Sequence, residues 1–319
     1  MKKIITLFLV ATVLSCSSED RESQETASLV ATVDSVLNGK VLSFKSEEAF
    51  FKEYSKLAEL DRNELQKWIS SKGLVSLLNT SDDSIEMEED VISESRVIYS
   101  DALKSVLNAE SKVEIGEKVL WLNDRNFFLL SESEVNFTTK ELLERKDKLQ
   151  KYGQLLSFSG VSKSSTSRLV LPNENRTKTF ISPEINVSGS RLRHVVDLYN
   201  ETIALNDLIQ SSKMFLRSTL QYRSCSSLGG CKWKEAFNTR DLRTYFRGVS
   251  DELDGTWTLT ILNGGSAVSG TQTYQVAYWR SKAPYLSNEN FIISGPITCS
   301  IVGSNPLAMF STEMSWYYN

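Results

Sequence analysis

The sequence predicts an α+β fold: a small helical N-terminal domain with a β-hairpin, followed by a mainly antiparallel, β-sandwich-like domain. Three observations predict it. In the first half, apolar residues recur at helical spacing between capping residues. In the last 139 residues, 181–319, apolar and polar residues alternate instead. Between the two patterns, residues 157–180 are rich in Ser, Thr, Lys and Asn and read as a linker. The division is a signal peptide over 1–15, a tether over 16–42, the helical domain over 43–156, the linker, and the β-rich domain over 181–319. A chain of 319 residues is long enough for two modest domains.

The first element is a leader. Lys2 and Lys3 precede an apolar run from Ile4 to Leu14, too short to span a bilayer as a helix. The run ends in Val13-Leu14-Ser15-Cys16, which resembles the lipobox of bacterial lipoproteins. The resemblance implies cleavage after Ser15 and diacylglyceryl modification of the Cys16 thiol. It departs from the usual pattern in having Val rather than Leu first. Each buried acyl methylene contributes about 0.8 kcal/mol, so two or three chains make release negligible. Ser17-Ser18-Glu19-Asp20 is similar to the export signal of Bacteroidota surface lipoproteins. That implies an outer-membrane lipoprotein exposed on the cell surface. Residues Ser190 to Gly248 also resemble uncharacterised Bacteroidota lipoproteins, a likeness that carries no activity with it.

The helical domain follows. Ser46 caps a helix with Glu47 and Glu48 in its first turn, and Phe50, Tyr54, Leu57 and Ala58 share its buried face. Asp61 with Glu64 forms a capping box for a second helix, with Leu65, Trp68 and Ile69 buried and Gly73 as its stop. The two read as an αα-hairpin. Residues 80–95 are acidic (Asp82, Asp83, Glu86, Glu88, Glu89, Asp90) but lack EF-hand spacing, so they read as a solvated loop. Ser100 to Leu107 reads as a short helix. Residues 113–116, 118–122 and 127–130 read as strands, with Asn123-Asp124-Arg125-Asn126 as a turn. Thr138 and Glu141 form another capping box, predicting a helix through Leu142, Leu149 and Tyr152 toward Gly153.

In the β-rich domain Leu192, His194, Val196 and Leu198 share one strand face. Met214, Leu216, Leu220 and Tyr222 face one way, and Lys213, Arg217, Thr219, Gln221 and Arg223 the other. Trp257, Leu259 and Ile261, then Tyr274, Val276 and Tyr278, then Phe310, Thr312, Met314 and Trp316 continue the alternation.

Composition restricts function. The formal net charge is −4. Residues 17–110 hold roughly twice as many acids as bases, whereas 211–250 lean basic. The basic segment is too short and interrupted to imply nucleic acid. The one histidine, His194, removes most zinc sites and reads as a packed core residue. No Walker loop, dinucleotide glycine pattern or Gly-x-Ser-x-Gly is present, so neither cofactor, metal nor catalytic residue is assigned. Export permits disulfides, and Cys225 with Cys231 flank a short polar turn, making them the favoured pair. Cys299, between Ile297 and Ile301, reads as an inert buried thiol.

Two binding surfaces emerge. Arg217 and Arg223 on one strand and Arg243 and Arg247 on another would form an anion-binding or partner-binding stripe if those strands are neighbours. Lys232 and Lys234 would lie nearby. Trp233 and Trp279, with Tyr245, Tyr285, Tyr317 and Tyr318, offer an aromatic platform for a glycan. The carboxylates Asp251, Glu252 and Asp254 before Trp257 are the candidates for a hydrolase. The favoured function is a non-enzymatic, lipid-anchored module that binds a protein or glycan. The alternatives are a glycan-binding surface lipoprotein of a sugar-uptake system and a carboxylate-dependent hydrolase.

Overall fold

The computed structural model describes residues 35–38, 40–80, 97–156, 177–205, 208–226, 230–245, 247–251, 257–259, 268–279 and 290–316. They belong to a compact unit, Asp34–Asn319. Two short antiparallel strands, β1 (Ser35–Asn38) and β2 (Val41–Phe44), open it. Residues 35–38 and 41–42 of the tether expected over 16–42 instead pair as strands.

Capping chemistry sets the helices. In α1 (Glu47–Leu57) the Ser46 hydroxyl accepts the Ala49 N–H at 3.2 Å. In α2 (Arg62–Lys72) Asp61 and Glu64 exchange side-chain-to-backbone hydrogen bonds of 2.9 and 3.0 Å, and Gly73 closes the helix at φ 65°. That left-handed conformation suits glycine. Trp68 donates its indole N–H to Glu53, tying α2 to α1. A single helical turn, α3 (Leu77–Thr80), and α4 (Asp101–Val106), capped by Ser100, complete this layer.

Three strands follow: β3 (Lys112–Ile115), β4 (Lys118–Asn123) and β5 (Asn126–Leu129). They form an antiparallel meander whose first strand pairs in parallel with β2. The helix expected from Thr138 to Gly153 is shorter. Its capping box forms, but α5 spans only Thr139–Leu143 and a 3₁₀ turn occupies Lys146–Lys148. Tyr152 and Gly153 lie in strand β6 (Gln150–Leu156). The physical reason sits at Gly153, where an added Cβ would come within 2.5 Å of the Ala204 carbonyl oxygen. Glycine here permits close strand approach and does not end a helix.

The remaining strands are β7 (Thr177–Ile181), β8 (Ile185–Val187), β9 (Ser190–Leu205), β10 (Leu208–Ser226), β11 (Gly230–Glu235), β12 (Arg240–Thr244), β13 (Arg247–Asp251), β14 (Trp257–Leu259), β15 (Gln272–Trp279), β16 (Asn290–Ile301) and β17 (Met309–Trp316). Thirteen strands form one mixed sheet along β1-β2-β3-β4-β5-β6-β9-β10-β15-β14, with β7 and β8 added to β9 and β11 to β10. The long strands β9 and β10 are its spine. One edge of β9 is taken in turn by β6, β7 and β8, and the other by β10. A second sheet of four strands, β12-β16-β13 with β17 on β16, packs on one face of that spine.

The protein is thus mostly β with a few helices. Instead of two domains separated by a linker, one sheet crosses from the first half to the second through β6 and β9. Residues 157–176 of the expected linker lie outside the described residues, and 177–181 form β7. The main core is shared likewise. Phe50, Tyr54, Leu57, Leu103 and Val106 of the helices pack with Tyr199, Ile203 and Leu205 of β9 and Phe215 of β10. A buried polar node adds direction to this contact. Glu201 accepts hydrogen bonds from the Tyr54 hydroxyl (2.6 Å), the Ser100 hydroxyl (2.6 Å) and the Ser100 N–H (2.8 Å).

On the opposite face Val196, Leu198, Met214 and Leu216 meet Ile293, Ile297, Met314 and Trp316. Strand β17 alternates as its sequence predicts, with Phe310, Thr312, Met314 and Trp316 buried.

Candidate functional site

The site is built by the segments around β2, β3 and β4 and by residues 132–138 before α5. They enclose a groove of about 690 Å³, within the range of small-molecule sites. Buried Asn108 and Lys112 and half-buried Val119, Val135 and Phe137 line it, while Glu117, Glu132, Asn136 and Thr138 are exposed at it. Lys40, Val41, Glu110 and Glu114 complete the lining. Four glutamates against two lysines give it an acidic balance.

Two of these groups hold the groove in shape. Lys112 donates to the backbone carbonyls of Val135 (2.7 Å) and Phe137. Burial pushes its pKa down, opposed by the nearby Glu110 and Glu141 carboxylates. Glu110 accepts from both the hydroxyl and the N–H of Thr139 at 2.6 Å. The hydroxyl bond, followed in part by the N–H bond, holds its carboxyl below the usual range, so it sits there as an acceptor. Asn108 secures the loop between α4 and β3 by accepting the Glu110 and Lys112 N–H groups. Phe137 is covered on one ring face by the Arg145 guanidinium, 4.8 Å from its centroid. The groove therefore offers fixed acceptors beside apolar side chains.

Little in the sequence points to this site. Its trace was the alternation Glu110, Lys112, Glu114, which sets charged residues on one side of a strand and Val113 and Ile115 on the other. The contribution of residues 132–138 required the folded chain.

The predicted arginine stripe is not assembled. Strands β10 and β12 belong to different sheets. Arg217 is buried and its Nε pairs with Asp197 at 3.1 Å. The face it shares with Lys213, Thr219 and Gln221 is buried as well. Arg223 is half-buried on β10. Arg243 is exposed on β12 beside Asp241 at 3.8 Å. Arg247 lies on β13, with its side chain outside the described residues.

Trp233 does not belong to an exposed aromatic platform. Trp233 is 3% exposed and lies under Arg193, whose guanidinium carbon is 4.1 Å from the ring centroid. It is a packed residue and offers no stacking face to a sugar. The Trp279 side chain, Tyr285, Tyr317 and Tyr318 lie outside the described residues, as do Cys16, the acids between 82 and 90, Glu252, Asp254 and the Asp251 side chain. Tyr245 is exposed.

Cys225 and Cys231 face each other across the β10–β11 hairpin and are joined by a disulfide. Cys299 is a free, buried thiol, and burial pushes its pKa up to about 12. Among the described residues no group of three or more His, Cys, Asp or Glu side chains is placed to hold a metal. No helix among them is long and apolar enough to cross a membrane.

His194 is fully buried, with Nε2 2.8 Å from the Ser218 hydroxyl. Burial, reinforced by the charge of Arg240, lowers its pKa to about 3. The unfolded chain takes up that proton near pH 6.5 and the native state does not, so stability is full above 6.5 and declines toward pH 3. The slope is at most about 1.4 kcal/mol per pH unit. Urea unfolding of His194→Gln should show a shallower decline between pH 6.5 and 4.5 than wild type. Equal slopes would contradict this assignment.

No protein-family model matches the sequence, and no curated protein matches it. Among solved structures, the chain is similar to a DUF4848 family protein from Bacteroides thetaiotaomicron, at 15% identity over 88% of this chain and 99% of that one, with a TM-score of 0.21.

Proposed function

We propose that this chain is a lipid-anchored cell-envelope protein that binds a small, donor-rich ligand, such as a saccharide or a polyamine, without chemically altering it. The observation that carries the binding reading is the groove of about 690 Å³ with its carboxylate and amide acceptors beside Val119, Val135 and Phe137. Glu110 there is engaged as an ionised acceptor, whereas a hydrolase needs a carboxyl held protonated as its acid. A carboxyl pushed upward by burial does exist at Glu201, but it is sealed in the core against Tyr54 and Ser100.

The cross-strand disulfide supports an oxidising compartment. Together with the lipobox-like Val13-Leu14-Ser15-Cys16 and the acidic residues after it, this favours an outer-membrane lipoprotein displayed on the surface. We read the packing of the four-stranded sheet on β9 and β10 as a local β-sandwich within the larger sheet.

One preparation tests both parts. Cells fed an alkyne fatty acid should label the wild-type protein and leave Cys16→Ala unlabelled; label on that variant rejects the anchor. Calorimetry against a panel of oligosaccharides and polyamines should give binding that Glu117→Gln with Glu132→Gln weakens about tenfold or more, the effect of losing charged hydrogen bonds. Silence across the panel rejects the ligand class, and an indifferent double variant rejects the groove.

A further inference from the structure

Among the described residues the charge of Arg240 has no direct ion-pair partner. This residue begins β12 and is 0% exposed. Its side chain reaches the large sheet, where Nη2 donates to the carbonyls of Ser218 (3.1 Å) and Gly270 (2.6 Å). Nε and Nη1 meet no acceptor. A guanidinium has five N–H donors, so three are idle here.

Among the described residues no carboxylate forms an ion pair with Arg240. Glu235 contributes electrostatically from further off, and its carboxylate accepts the Thr271 N–H instead. The Cys299 thiol is neutral, its pKa raised by burial to about 12. Ser218 links the guanidinium to the imidazole of His194: its Oγ is 3.5 Å from Arg240 Nη2 and 2.8 Å from His194 Nε2. With the Ser218 hydroxyl donating to Nε2, the ring proton sits on Nδ1, another buried group without a partner.

We propose that the fold holds a small monovalent anion, of the size of chloride, at Nε and Nη1 of Arg240 between the two sheets. A water molecule there would accept hydrogen bonds without adding countercharge, whereas an anion supplies both. The complete burial of Arg240 restricts the ligand to a small ion and excludes organic carboxylates.

The intact chain is melted in sodium chloride and in sodium gluconate at equal ionic strength. Chloride should raise the midpoint by several degrees along a saturating curve, as a ligand bound only to the native state does. Arg240→Met should remove the difference between the salts. Crystals of the wild-type protein grown in bromide should show an anomalous peak beside Nε and Nη1, and this decides the matter should Arg240→Met not fold. Equal midpoints in the two salts, a chloride effect that persists in folded Arg240→Met, or no bromide at Arg240 would each overturn the proposal.

Discussion

Replacing Asp197 with alanine should destabilise the native state by about 3–5 kcal/mol, the range measured when one partner is removed from a buried ion pair. Both side chains are out of solvent, at 0% exposure for Asp197 and 6% for Arg217, with the Arg217 Nε 3.1 Å from the carboxylate. The second carboxylate oxygen accepts the Thr179 hydroxyl at 2.6 Å. Alanine removes the charge that Arg217 faces and strands the Thr179 hydroxyl, while the guanidinium stays where solvent cannot reach it. Screening by salt is weak at such a site, so the loss should persist at high ionic strength. Urea unfolding with an unchanged slope gives the number directly. Combining Asp197→Leu with Arg217→Met should recover much of the loss, because the desolvation cost disappears with the charges. A loss below about 1 kcal/mol for Asp197→Ala would place the pair in the class of exposed salt bridges and contradict the burial described above.

A loss of similar size, about 3–5 kcal/mol, is expected for Phe215→Ala. The ring is 2% exposed and stacks on Tyr199 with centroids 5.7 Å apart. It belongs to the cluster that also contains Phe50, Tyr54 and Leu103 from the helices. Truncation therefore opens a cavity where the helical layer meets the sheet spine. The form of the transition is as informative as its size. With one core shared by both halves, far-ultraviolet dichroism and tryptophan fluorescence should report a single coincident unfolding curve in wild type and variant alike. Two separated transitions would restore independent halves.

Local signals in the sequence were accurate. Ser46, Asp61 with Glu64, Gly73 and Thr138 with Glu141 act within one helical turn, and each caps as its chemistry requires. The alternation of Phe310 to Trp316 likewise maps onto the burial of β17. Signals that depend on distant partners were not legible. Gly153 looked like a helix stop, but Ala204 decides its role from 51 residues away. What covers the polar face of β10 is not legible either, since alternation reports which residues share a side and is silent on what packs against them. Asp197, on the neighbouring strand, makes Arg217 an interior residue. The groove was hidden for the same reason, because β2 and β3 pair in parallel across Ser43 and Glu114, far apart in the chain.

The junction of β6 with β9 has a consequence for the order in which the chain assembles. Gly153 pairs with Leu205 and Leu156 with Thr202, so the strand completed first waits for one made about fifty residues later. During synthesis, everything up to β6 is available while its hydrogen-bonding edge is still open. An open edge recruits other chains as readily as its own. The nascent protein is thus most vulnerable to association after residue 156 and before residue 205, and a chain truncated in that interval would keep the edge open.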